Sequence, residues 1–190
     1  MVYPYQWGRK QSDNWDKQTN FIYKTYSFDS LLLKVKKYEK PLFNYSLNRW
    51  YNFWSAMAVE NILATHQCVI PNRNSKDKLV DFTINEIPFD HKTSVFPKGF
   101  GQSFDYARNN KKELILWLYR NQSQEGRKHL NNRLFVVLYD EKENQHWKLK
   151  AEISLLKSAI DKYLKKLSHN DLVQLNFGDG LVLSDIIWIK

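Results

Sequence analysis

Four residues carry the chemistry that this chain offers: Glu60, Asp81, Asp90 and Lys92. Asp81 and Asp90 flank the stretch Phe82-Thr83-Ile84-Asn85-Glu86-Ile87-Pro88-Phe89, and Lys92 follows two residues later. If Asn85-Glu86 is a two-residue turn, Ile84 faces Ile87, Phe82 faces Phe89 and Asp81 faces Asp90. Side chains alternate along a strand, so Phe82, Ile84, Ile87, Phe89 and His91 share the core side. Asp81, Thr83, Asp90 and Lys92 share the other. Like charges directly opposite on a sheet cost about 0.2–1 kcal/mol, and a divalent cation between them removes that cost. The hairpin therefore reads as a metal holder.

Phosphodiester hydrolysis asks for such a set. A hard cation neutralises charge on the phosphate and lowers the pKa of the attacking water. Mg²⁺ takes carboxylate oxygens and keeps several waters, and a nearby lysine orients the nucleophile or stabilises developing charge. Glu60 joins the set from upstream. Residues 46–66 read as one long helix with Ser46 as N-cap and no Gly or Pro inside. Glu60 lies on a face made by Phe53, Ala56, Met57, Leu63 and Ala64, where a carboxylate needs a partner.

The elements that must position these residues follow in order. Residues 67–71 make a short strand, and 72–78 a polar, basic loop. Arg73, Lys76 and Lys78 in that loop, with Lys98 and Arg108 beyond the hairpin, are the candidate phosphate contacts. The hairpin occupies 79–95, with Pro88 where no ladder bond is needed. Residues 102–109 read as a short helix, 111–122 as a second helix or an apolar strand, and 133–140 as the central strand. Residues 150–167 form an amphipathic helix with an apolar stripe of Ile153, Leu156, Ile160, Tyr163, Leu164 and Leu167. Two closing strands, 172–177 and 181–189, flank the Gly178-Asp179-Gly180 turn. In residues 1–45, 19–28 alternates loosely as a strand would. Asp29 or Ser30 could instead cap a short helix, and Tyr3, Tyr5, Trp7 and Trp15 read as packing anchors.

Composition agrees with one domain over 190 residues, and 43% hydrophobic content supplies its core. A net charge of +9 favours an anionic partner, nucleic acid first. The one cysteine, Cys68, excludes an internal disulfide and fits a reducing compartment. The opening residues lack a signal pattern and no run is long enough to span a bilayer, so the expected location is cytoplasmic, with no membrane partner. His66 and Cys68 look like half of a zinc site, with no second cysteine to extend it.

At these residues the chain resembles the PD-(D/E)XK nuclease superfamily, whose fold is restriction-endonuclease-like. The family pattern is a helical Glu, a strand-borne Asp and (D/E)-x-K on the next strand, here Glu60, Asp81 and Asp90-His91-Lys92, although Val80 stands where the pattern carries proline. Gln102-Ser103-Phe104-Asp105-Tyr106 looks like the Q-x-x-x-Y element of RecB-like branches. The resemblance covers roughly residues 46–140. It implies an α/β fold with a central mixed sheet flanked by helices. It implies Glu60, Asp81 and Asp90 as metal ligands with the backbone carbonyl of His91, Lys92 as the catalytic lysine, and Gln102 and Tyr106 as orienting or DNA-contacting residues. Residues 1–45 are then an N-terminal elaboration, and 141–190 complete the fold. The expectation is a Mg²⁺-dependent DNA endonuclease, with Mn²⁺ as a substitute and RNA left open as a substrate. It would act as a homodimer or with a partner protein in restriction, defence or mobile-element processing. The alternatives are a catalytically inactive nucleic-acid-binding or assembly protein that keeps the fold, and a structural subunit whose acids merely pair with lysines.

Overall fold

The structure is a computed structural model, and it describes residues 12–74, 77, 79–121, 130–178 and 180–190. Two compact units divide it, Met1–Met57 and Ala58–Lys190. Tyr3, Tyr5 and Trp7, the turn expected at 124–128, and Asp179 between its two glycines lie outside the described residues.

The described residues of the first unit are mainly helical. Helix α1 covers Asp13–Gln18, a 3₁₀ turn covers Asn20–Lys24, and α2 covers Phe28–Val35. Residues 19–28 do not form a strand, because local side-chain bonds satisfy the backbone first. The hydroxyls of Thr19 and Thr25 donate to the carbonyls of Trp15 and Phe21, each at 2.7 Å. Ser27 caps α2 by accepting from the Ser30 N–H at 3.2 Å, so the cap is neither Asp29 nor Ser30. Ile22, Leu31, Val35 and Leu47 form the core of this unit, with Phe21, Trp50 and Phe53 packed against them. Helix α3 spans Lys40–Ala64 and begins ahead of the expected Ser46. Pro41 fits its first turn, where no intrahelical N–H is lost, while the Ser46 hydroxyl donates back to the Leu42 carbonyl at 2.7 Å and caps nothing.

From Ala58 onward α3 belongs to the second unit, which is built, among the described residues, on a six-stranded mixed sheet. Its strands are β1 (Val69–Pro71), β2 (Phe82–Ile84), β3 (Ile87–Val95), β4 (Arg133–Leu138), β5 (Val173–Asn176) and β6 (Leu181–Ile189), in the order β1-β2-β3-β4-β6-β5. β1, β2 and β3 run antiparallel in turn, β3, β4 and β6 are parallel, and β5 returns antiparallel to β6. Helices cover both faces, as parallel strands require. One face packs Phe82, Ile84, Phe89, Leu134, Val136 and Ile187 against Val59 and Leu63 of α3 and Leu156 and Ile160 of α6 (Ile153–Lys166). The other packs Phe135, Val137 and Ile186 against Phe104 and Ala107 of α4 (Phe104–Asn109) and Leu114, Ile115 and Leu118 of α5 (Lys111–Asn121). Residues 111–121 resolve to helix because their apolar positions fall at helical spacing on that second face. The region 150–167 is split. A 3₁₀ turn covers His146–Ala151 before α6, and Ile153 is exposed, outside the expected stripe. The four lysines 157, 162, 165 and 166 lie on the exposed side, as expected.

The hairpin register is Phe82↔Phe89, Thr83↔Pro88 and Ile84↔Ile87, as the alternation requires. Asn85 and Glu86 both hold left-handed backbone, with φ of 47° and 70°, the mark of the tight turn that matches strand twist. Asn tolerates that region, whereas a glutamate there is strained by roughly 1 kcal/mol. Glu86→Gly is therefore expected to raise stability by up to about 0.5 kcal/mol, after the entropy lost by glycine, read as a slightly higher urea midpoint at unchanged slope.

Past β4, the buried His146 accepts the Asp140 N–H at Nδ1, 2.8 Å away. Burial pushes its pKa below 6.5, against the opposing charge of Asp140, and Lys98 adds to the depression. The unfolded chain binds a proton there that the folded chain refuses, so stability falls as pH drops through 6.5. His146→Gln keeps an acceptor and removes the titration. Urea midpoints of the wild type are expected to fall between about pH 7.5 and about pH 5.5 by more than those of the variant.

Candidate metal centre

Three of the singled-out residues converge. Glu60 from α3, Asp81 just ahead of β2 and His91 from β3 each offer one ligand atom, and those atoms lie within 4.8 Å of one another. The His91 Nδ1 is 3.5 Å from a Glu60 carboxylate oxygen. Two ligands each about 2.1 Å from one ion stand about 3 Å apart when adjacent and about 4.2 Å when opposite, a window that the His91–Glu60 distance of 3.5 Å falls inside.

Local structure explains the grouping. His91 pairs with Leu134 in the β3–β4 ladder and shares its face, the side that receives α3. Asp81 falls outside β2. Its N–H donates to the Phe89 carbonyl at 2.9 Å, although Phe89 is already the ladder partner of Phe82. Two residues tied to one partner make a β-bulge, which re-aims a side chain. Asp81 consequently accepts the His91 N–H at 2.6 Å rather than standing across from Asp90. Burial pushes the Asp81 carboxyl up, the His91 N–H pulls it down, Glu60 and Asp90 push it up again, and Lys92 opposes them. Asp81 thus lies within electrostatic reach of every other member of the expected set.

Asp90 and Lys92 occupy the opposite face of β3. One Asp90 oxygen is 2.6 Å from the Lys92 Nζ, and the other accepts from the Arg133 Nε at 3.0 Å. The Arg133 guanidinium stacks over Tyr119, 5.1 Å from the ring centre. Asp90 is therefore engaged by two cations and is not among the three converging ligands. Gln102 is exposed and precedes Ser103, the cap of α4, so it stands off the helix. The Tyr106 hydroxyl donates to Glu113 of α5. Arg73, Lys98 and Arg108 are exposed, and Lys76 and Lys78 lie outside the described residues. Arg73 lines a cavity of about 470 Å³ with Ile70, Asn72 and Thr83, beside the β1 edge. The Nε2 of His66 meets Asp161 at 3.0 Å and the half-buried Cys68 packs on the core, so they form no zinc pair.

Two contributors escaped the sequence reading. Arg133 opens an apolar strand, and a charge there signals a buried partner. Thr93, two residues past His91 and hence on the same face, meets the His91 Nε2 at 2.8 Å. No family model, curated protein or solved structure matches the chain. Among the described residues no helix is long and apolar enough to cross a membrane.

Proposed function

We propose that this protein is a divalent-cation-dependent nuclease of the PD-(D/E)XK kind that hydrolyses phosphodiester bonds in DNA. The observation that carries the reading is the convergence of Glu60, Asp81 and His91 beside the Asp90–Lys92 pair at 2.6 Å, with Asp81 coupled to both. The order of α3, β1, the β2–β3 hairpin, α4 with α5, and β4 supports it, since the resemblance calls for helix, strand, hairpin, helix, strand. A bound Mg²⁺ or Mn²⁺ supplies Lewis-acid chemistry, neutralising phosphate charge and acidifying water.

The chain's own residues do the rest. Glu60 and Asp81 offer oxygens from a helix and a bulge, two rigid supports. Asp90 holds the Lys92 amine, whose side chain is 43% exposed and so can meet a phosphate. Arg133 balances Asp90, which leaves the trio one positive charge in excess, the sign a polyanion requires. The net +9 of the chain acts in the same direction. A cytoplasmic setting in restriction, defence or mobile-element processing, as a homodimer or with a partner protein, belongs to this proposal.

One observation favours the alternative of a DNA-binding protein that does not cut: Asp90 already carries two cations. Supercoiled plasmid incubated with Mg²⁺ or Mn²⁺ separates the two. Cleavage that EDTA abolishes, and that Lys92→Ala slows by about 10²–10³-fold, is the expected outcome. Intact plasmid under all conditions, with salt-sensitive binding retained, establishes the alternative.

A further inference from the structure

We infer that the His91 imidazole is itself a ligand of this centre, and that the centre selects a first-row transition dication such as Mn²⁺ over Mg²⁺. The inference rests on the metal-dependent reading above and goes beyond it in naming the nitrogen donor and the cation class.

Four observations lead there. The His91 side chain is 1% exposed, and a ring so deep needs both nitrogens accounted for. Its Nε2 is held at 2.8 Å by the Thr93 hydroxyl. Its Nδ1 points to the Glu60 carboxylate at 3.5 Å, too long for a hydrogen bond and suitable for two neighbours on one ion. A metal on Nδ1 requires the proton on Nε2, and the Thr93 hydroxyl stands at 2.8 Å where it can accept that proton's hydrogen bond. The same residue also fixes the carboxylate next to it, because the His91 N–H binds Asp81 at 2.6 Å. One strand position thus supplies a nitrogen and aims an oxygen. Asp90 is not among the converging atoms, and its two oxygens face Lys92 and Arg133.

The donor set of one imidazole and two carboxylates decides the cation. Mg²⁺ and Ca²⁺ are hard and take oxygen ligands, whereas an imidazole raises affinity for first-row transition dications. Glu60 keeps 32% of its side chain exposed, so the centre is open on one side for water and a phosphate oxygen. Thr93 acts as a positioning residue, holding the ring without touching the ion.

Electron paramagnetic resonance of the full chain tests this with Mn²⁺ as the probe. The expected result is Mn²⁺ bound at least tenfold more tightly than Mg²⁺ in competition, with ¹⁴N coupling that changes to ¹⁵N coupling on histidine labelling. His91→Gln should abolish the coupling. Thr93→Val, which keeps the branched shape of the strand, should weaken Mn²⁺ binding by about tenfold and lower the Mn²⁺/Mg²⁺ ratio, a change that a merely structural role would not produce. Bound Mn²⁺ without nitrogen coupling, and with no preference over Mg²⁺, overturns the inference and leaves the nuclease reading standing. Absence of binding by either cation overturns both.

Discussion

Asp81→Asn is expected to abolish DNA cleavage, by about 10³-fold or more, while the hairpin stays folded. The asparagine side-chain oxygen can accept the same His91 N–H that Asp81 accepts at 2.6 Å. What disappears is the charge, and with it the hard oxygen donor between Glu60 and His91. The substitution should also be neutral or favourable for stability, because burial already pushes the Asp81 carboxyl toward its protonated form. A fall in the single-turnover cleavage rate with an unchanged urea midpoint is the expected pair of readings. Retained cleavage in this variant would remove Asp81 from the chemistry.

The largest stability effect is expected on the opposite face of β3. Arg133→Met removes one partner of a pair in which the side chains are 9% and 8% exposed, and it strands the Asp90 carboxylate. Breaking a buried pair from one side costs about 3–5 kcal/mol. The lower end applies here, since the Lys92 amine still faces Asp90 at 2.6 Å. The guanidinium contact with Tyr119 is lost as well. Pairing the change with Asp90→Asn should recover a large part of the loss, because no charge is then left buried without its partner. Urea unfolding of the two single variants and the double variant reads the coupling directly. Additive losses would mean that Asp90 and Arg133 do not depend on each other.

These two faces of one strand also show what a sequence can and cannot disclose. The hairpin was legible because apolar residues on both sides of Asn85-Glu86 admit one register that buries Phe82, Ile84 and Phe89 together. The bulge at Asp81 was not legible. It begins where the ladder ends, so the alternation of Phe82, Thr83 and Ile84 is the same with it or without it. That single backbone bond, Asp81 to Phe89, separates the expected Glu60–Asp81–Asp90 set from the observed Glu60–Asp81–His91 group. The meeting of Glu60 and His91 was within reach, for each fell on a core-facing side by periodicity, and two polar groups on facing core surfaces need each other. Arg133 was hidden because its partner lies 43 residues away along the sequence. In the first unit, the hydroxyls of Thr19 and Thr25 bond nearby carbonyls, so a strand-like alternation folds without a strand, and α3 starts at Lys40, with Pro41 in its first turn, ahead of Ser46.

On the proposed reading Glu60 and Asp81 help to hold one divalent cation, which equilibrium dialysis against Mn²⁺ counts. The wild-type chain is expected to retain one ion per molecule, and a folded Glu60→Gln/Asp81→Asn variant to retain none. Equal retention by both proteins, or none by either, would mean that Glu60 and Asp81 hold no such ion.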